Sequence, residues 1–184
     1  MITAITGTIG SGKSEVGRIL RGLGKIVLDC DKINAELLKD DKYLSELEKL
    51  FPYAFSDGVF NKNVLSRQIF EDENERKKLN DLAHPYILKK LSEELNIYSG
   101  EDVFVEIPLL NDENSGLFDR VIVVVSDKDA KIGRITSRDK IFVEQAEKRL
   151  ASQTERTDYN LPVIIIKNNS DKTDLENKVK NFIL

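Results

Sequence analysis

The chain predicts an α/β fold built on a mainly parallel sheet, and three features of the sequence carry that prediction. Five short apolar runs, at residues 2–6, 25–28, 103–108, 120–125 and 161–166, alternate with stretches of helical periodicity. The first run leads directly into Gly7-Thr8-Ile9-Gly10-Ser11-Gly12-Lys13-Ser14, which fits the pattern G-x-x-x-x-G-K-[ST] between a strand and a helix. The second run ends in Asp29-Cys30-Asp31, placing carboxylates at the carboxyl end of a strand, where ligands gather in open α/β sheets.

The glycine-rich stretch has a chemical reading residue by residue. Gly7, Gly10 and Gly12 allow the backbone to curl with its N–H groups inward, a nest for phosphate oxygens, and Thr8, Ile9 and Ser11 between them belong to the same candidate cofactor-binding loop. Lys13 brings a mobile positive charge to the outer phosphates, and the Ser14 hydroxyl is a ligand for Mg²⁺. The following helix, residues 12–23, carries Val16, Ile19, Leu20 and Leu23 on one face, points its positive dipole end at the loop and stops at Gly24.

Residues 25–28 form the second strand. Asp29 and Asp31 beyond it are candidates for holding metal or taking a proton from an attacking hydroxyl, Asp31 the more so; the alternative is that they cap the next helix. From residue 32 to 97 the chain reads as mainly helical and charged. Leu44, Leu47, Leu50 and Phe51 mark one helix, Ser56-Asp57-Gly58 a turn, and Val64, Leu65, Ile69 and Phe70 another helix. Residues 72–78 read as a solvated charged face. Pro85 suits the first position of a helix, which sets His84, the sole histidine, at the start of a helix running to about residue 98.

The third strand, residues 103–108, carries Glu106 near its end, a candidate for the metal or substrate shell. The fourth, residues 120–125, is apolar enough to be buried on both faces. Asp127 opens a helix with Arg134 and Arg138 on one face. That face either closes over polyphosphate or is a solvated basic face paired with Asp139 and Glu144. A fifth strand at 161–166 and a helix at 172–183 complete the pattern.

Composition narrows the function classes. The 184 residues are 40% apolar and 33% charged with a net charge of −4, so the chain suits one domain with a real core and no broad nucleic-acid surface. Cys30 is the single cysteine, which precludes an intrachain disulfide and fits a reducing, cytoplasmic setting. No apolar run approaches the ~18 residues of a membrane span.

In their order along the chain, several signatures resemble the dephospho-CoA kinase family. They are residues 6–14, Leu28-Asp29-Cys30-Asp31, Asp57-Gly58 with Val64-Leu65 and Ile69-Phe70, and Ala83-His84-Pro85-Tyr86-Ile87. Ile107-Pro108-Leu109-Leu110, Arg134 with Arg138-Asp139, and Ala151-Ser152-Gln153 follow. The resemblance implies a three-layer P-loop kinase-like core, similar to nucleoside monophosphate kinases, over residues 1–40, 100–127 and 158–184. It implies a helical CoA-binding segment at about 41–99 and a lid at about 128–157. It also implies ATP with Mg²⁺ as donor, dephospho-CoA as acceptor at its ribose 3′-hydroxyl, and a cytoplasmic monomer or weak homo-oligomer. Asp31 matches the family's base, Lys13 and Arg138 its other catalytic positions, Arg134 and Arg138 its lid arginines, and His84 a substrate-side histidine. Lys62 stands where an arginine is common, Thr8 where a second glycine is usual, Cys30 for alanine, and Leu161-Pro162 for Ala-Asp. The alternatives are another small-molecule or nucleoside monophosphate kinase, or a regulatory NTP switch; the chain lacks the guanine-reading Asn-Lys-x-Asp tetrad.

Overall fold

The computed structural model describes residues 1–108 and 110–183, without the side chains of Asp112 and Glu113; Leu109 of the Ile107–Leu110 signature lies outside the described residues. In chain order the elements are β1 (Ile2–Thr6), α1 (Lys13–Gly22), β2 (Ile26–Asp29), α2 (Cys30–Leu37), α3 (Asp41–Leu50), a single 3₁₀ turn (Pro52–Ala54), β3 (Phe55–Ser56), β4 (Val59–Phe60) and α4 (Lys62–Glu71). They continue with α5 (Glu73–Ile97), β5 (Val103–Glu106), α6 (Asp112–Ser115), β6 (Arg120–Val125), α7 (Lys128–Asp139), α8 (Val143–Ala151), β7 (Val163–Lys167) and α9 (Lys172–Ile183). The chain divides into two compact units, one of Met1–Asp29 with Tyr98–Leu184 and one of Cys30–Ile97.

The first unit is a parallel five-stranded sheet in the order β2-β5-β1-β6-β7, as the five apolar runs predict. β5 is buried throughout, as are the inner residues of β1 and β6, and these strands carry the least polar runs, as a sheet covered on both faces requires. α1 lays Val16, Ile19 and Leu20 on Ile5, Phe104, Ile122 and Val124, and α9 adds Leu175 and Val179 to the same core. Gly24, at φ 75°, takes the left-handed turn that ends the first helix region and admits β2. The last strand begins two residues later than the sequence reading has it. Pro162 lacks an N–H and contributes only its carbonyl, which accepts from Val121.

The second unit is helical around a core of Tyr43, Leu47, Phe51, Leu65 and Ala83. Asp57 and Gly58, with φ of 50° and 76°, form the two-residue turn of the β3–β4 hairpin, which needs positive φ at both central positions. One expectation is corrected here. The helix that Pro85 was to open starts twelve residues earlier, and α5 runs straight through Pro85, so His84 sits inside it. Asp72 caps the true start, its carboxylate accepting from the N–H groups of Asn74 at 2.8 Å and Glu75 at 3.3 Å. An interior proline costs a helix roughly 3 kcal/mol. Leu79, Leu82 and Ala83 before it and Tyr86 and Ile87 after it all join one apolar cluster, and that packing outweighs the cost. Among the described residues no helix is long and apolar enough to cross a membrane.

Candidate active site

The loop between β1 and α1 owes its shape to two conditions only glycine meets. Gly10 and Gly12 have φ of 79° and 99°, in the left-handed region. A Cβ on Gly10 would lie 2.7 Å from the Lys131 carbonyl oxygen, and one on Gly12 would strike the Asn168 side-chain amide. The loop therefore folds flush against α7 and the end of β7.

Its peptide planes are fixed from outside. Arg134 donates through Nη1 to the carbonyls of Gly10 at 3.0 Å and Ser11 at 3.3 Å, and to Ser126 Oγ at 2.8 Å. Its Nη2 donates to the Asn168 carbonyl at 2.8 Å, and Asn168 Nδ2 donates to the Ser11 carbonyl at 2.8 Å. In a planar trans peptide the N–H points away from its C=O, so pinning the Ser11 carbonyl outward aims the Gly12 N–H inward. The carbonyl of Gly12 accepts from Glu15 and Val16, which starts α1 with Lys13 and Ser14 in its first turn. A glycine-rich turn running into a helix start, with Lys13 and Ser14 in the first turn, is suited to an anion.

Glu106 stands beside this helix start. It ends β5 in register with Asp29 of β2, and its side chain is only 5% exposed. Gly17 makes the room, since a Cβ there would run into the Glu106 carboxyl group. Burial raises the Glu106 pKa above its ordinary value, the Asp29 charge adds to the rise, and Arg21 and the Ser14 hydroxyl oppose it. Oε1 lies 3.0 Å from Arg21 Nη2 as an ion pair, yet without hydrogen-bond alignment, so it is a buried acceptor left unsatisfied among the described residues. Ser14, Asp29 and Glu106 thus bring a hydroxyl and two carboxylates to one end of the sheet.

The two arginines of α7 go separate ways. Arg134 is spent on the loop carbonyls, whereas Arg138 is largely exposed and bonds Asp139 through Nε at 2.6 Å and Nη2 at 3.0 Å. Arg149 reaches the same carboxylate at 2.6 Å, and these contacts, Arg138 first, hold Asp139 below its ordinary pKa. The remaining candidates belong to the helical unit. Asp31 is exposed in the first turn of α2, immediately beyond the end of β2. Lys62 is exposed at the start of α4, after the Asn61 cap, and His84 is half-buried in α5.

Several residues that meet the loop carry no role in the sequence reading. Gln153 Oε1 accepts from the Ile9 N–H at 2.7 Å, and Glu155 Oε2 lies 3.4 Å from the Thr8 hydroxyl that donates to it. Glu155 is also paired with Lys131, whose side chain is 8% exposed. The Ile9 side chain packs into the apolar cluster of Ile132, Ile135 and Ala146 on α7 and α8. In the sequence Gln153 stands out only through the Ala151-Ser152-Gln153 signature, and nothing local marks Glu155 or Asn168 as partners of Thr8 and Ser11, more than a hundred positions away.

Comparison with known proteins bears on the family and the fold. A family model described as dephospho-CoA kinase matches residues 1–174. A dephospho-CoA kinase of Fusobacterium nucleatum is 32% identical over 186 aligned residues, covering 99% of this chain and 96% of its own. One from Thermus thermophilus is 32% identical over 182 residues, covering 98% and 89%. A crystal structure of a Thermus thermophilus protein superposes with a TM-score of 0.81 at 30% identity, covering 100% of this chain and 96% of the other. A dephospho-CoA kinase from Campylobacter jejuni gives a TM-score of 0.67 at 28% identity, covering 99% and 94%. A deoxyadenosine kinase of M. mycoides, at 20% identity, 100% and 98% coverage and a TM-score of 0.51, shares the fold.

Proposed function

The chain belongs to the dephospho-CoA kinase family, and on that premise we propose how its residues divide the transfer of a phosphoryl group from ATP to the ribose 3′-hydroxyl of dephospho-CoA. The products are coenzyme A and ADP. The observation that carries the reading is the preset loop, with the Gly10 and Ser11 carbonyls held outward by Arg134 and Asn168, which turns the Gly12 amide toward an anion. The carbonyl side of this cradle is set before the phosphates arrive, and donors preset toward developing charge are where electrostatic catalysis gains most.

In this reading the amides of Gly10, Gly12 and Lys13 hold the β- and γ-phosphates, and the Lys13 ammonium follows the γ-phosphoryl group as charge shifts to the bridging oxygen. Asp31 orients the 3′-hydroxyl and takes its proton as the bond to phosphorus forms. Arg138, in the lid at about residues 128–157, leaves Asp139 to neutralise the migrating charge, while Arg134 stays with the loop. Lys62 and His84 serve the acceptor on the helical segment, about residues 41–99.

The donor set fits Mg²⁺. Ser14 Oγ and the unsatisfied Glu106 Oε1, with Asp29 behind them, are the hard oxygen ligands this ion prefers. Ser14 and Glu106 would hold it, and when bound it neutralises charge on the phosphate oxygens. We assign the enzyme to the cytoplasm, as a monomer or weak homo-oligomer acting on small molecules.

Coupled ADP release across a panel of acceptors tests the assignment. Turnover is expected with dephospho-CoA and not with nucleoside monophosphates. Folded protein with no turnover dependent on dephospho-CoA would remove the assignment.

A further inference from the structure

Three donors on or beside the phosphate loop are satisfied by oxygens from one short segment after α8. The Ile9 N–H donates to Gln153 Oε1 at 2.7 Å, the Thr8 hydroxyl to Glu155 Oε2 at 3.4 Å, and the Lys131 ammonium to the same Glu155 oxygen. A backbone amide, a hydroxyl and an ammonium converging on two side-chain oxygens make the donor set of an oxyanion site.

Lys131 has little choice of partner. Its side chain is 8% exposed and its backbone packs on Gly10, so its charge requires an anion close at hand. Glu155 supplies one from a position where it is itself 36% exposed, on a segment without regular secondary structure. The buried cation is fixed to the helix beside the loop, and the anion sits on the part of the chain freer to leave.

We propose that Gln153 and Glu155 are internal stand-ins for phosphate oxygens, and that Lys131 is a second lysine for the terminal phosphate of ATP. As the γ-phosphate arrives, Lys131 exchanges the Glu155 carboxylate for a phosphate oxygen, and the Thr8 hydroxyl and Ile9 amide are released to the nucleotide. The γ-phosphate carries more charge than one carboxylate and offers three oxygens, so it displaces the side chains from the same donors. ADP has no γ-phosphate to make the exchange, so residues 153–155 return to the loop after transfer. The inference rests on the ATP-dependent reading above and adds to it a lysine that tells ATP from ADP.

The test is calorimetric titration of the whole chain with MgATP and with MgADP, no acceptor present, on the parent, Glu155→Gln and Lys131→Met. Removing the competing carboxylate with Glu155→Gln is expected to tighten ATP about three- to tenfold and to leave ADP unchanged. Lys131→Met, of similar length and without charge, is expected to weaken ATP about tenfold or more, again with ADP unchanged. Glu155→Ala serves as a second carboxylate-free variant, and thermal melts establish that each variant is folded. An unchanged ratio of ATP to ADP affinity in folded Glu155 variants, or equal weakening of both nucleotides, overturns the exchange while leaving the kinase reading intact. Failure of the parent to bind ATP at all overturns both.

Discussion

Gly17→Ala puts a methyl group on a buried carboxylate. On the structure the new Cβ would fall onto Glu106 Oε1 and lie 2.6 Å from its Cδ and 3.1 Å from its Cγ, so either α1 or the Glu106 side chain must move. Overpacking of this kind costs about 1–3 kcal/mol. Turning the carboxylate away from Ser14 and Arg21 costs about 1–2 kcal/mol more, a modest figure because Arg21 is 36% exposed. Replacing glycine by alanine within a helix returns about 1 kcal/mol. The net expectation is a loss of about 2 kcal/mol, read as a lower urea midpoint. Since Ser14 lies one turn before Gly17 and its hydroxyl favours the Glu106 charge, the same change should raise the KM for MgATP. Repeating the substitution in a Glu106→Ala background isolates the clash, and there the penalty should largely disappear. A Gly17→Ala protein as stable as the parent, or an equal penalty in both backgrounds, refutes the argument.

Other outcomes follow from the same geometry. Asp31→Asn should lower turnover about a hundredfold or more with little change in the KM for ATP; near-normal turnover excludes Asp31 as the base. Burial raises the pKa of Glu106 in the folded chain above 4.5, so the folded state keeps a proton that the unfolded chain has already released. The parent therefore loses stability as pH climbs above 4.5, while Glu106→Gln does not, and the stability difference should move in favour of the variant. Parallel pH profiles from urea melts would contradict that sign. Pro85→Ala restores a missing backbone donor within α5 and should stabilise the helical unit by about 1–2 kcal/mol in thermal melts; no gain would mean that the helix is bent to suit the proline.

The sheet was legible because its strands are short runs too apolar to lie anywhere but inside, and the loop because Gly10 and Gly12 are dictated by backbone geometry as well as by phosphate chemistry. Glu106 could be picked out as an acid at a strand end, but Gly17, which makes space for it, reads in sequence as an ordinary helical glycine. The start of α5 was misread because Pro85 is a strong local signal, and the packing of Leu82, Ala83, Tyr86 and Ile87 that overrides it is a tertiary effect. Helical spacing set Arg134 and Arg138 on one face correctly, yet spacing carries no information about partners. Arg134 turns to the carbonyls of Gly10 and Ser11, and Arg138 turns to its neighbour Asp139. Gln153 on Ile9 and Glu155 on Thr8 and Lys131 are long-range contacts with no periodic signature at all.

The most direct test is to identify the product of one reaction mixture. Purified chain, MgATP and dephospho-CoA are incubated, and the product is examined by mass spectrometry and phosphorus NMR. The account predicts one added phosphate per acceptor, resonating as a monoester on the ribose 3′-oxygen, with ADP formed in equal amount. Unmodified dephospho-CoA, or ADP formed at the same rate with the acceptor left out, would contradict it.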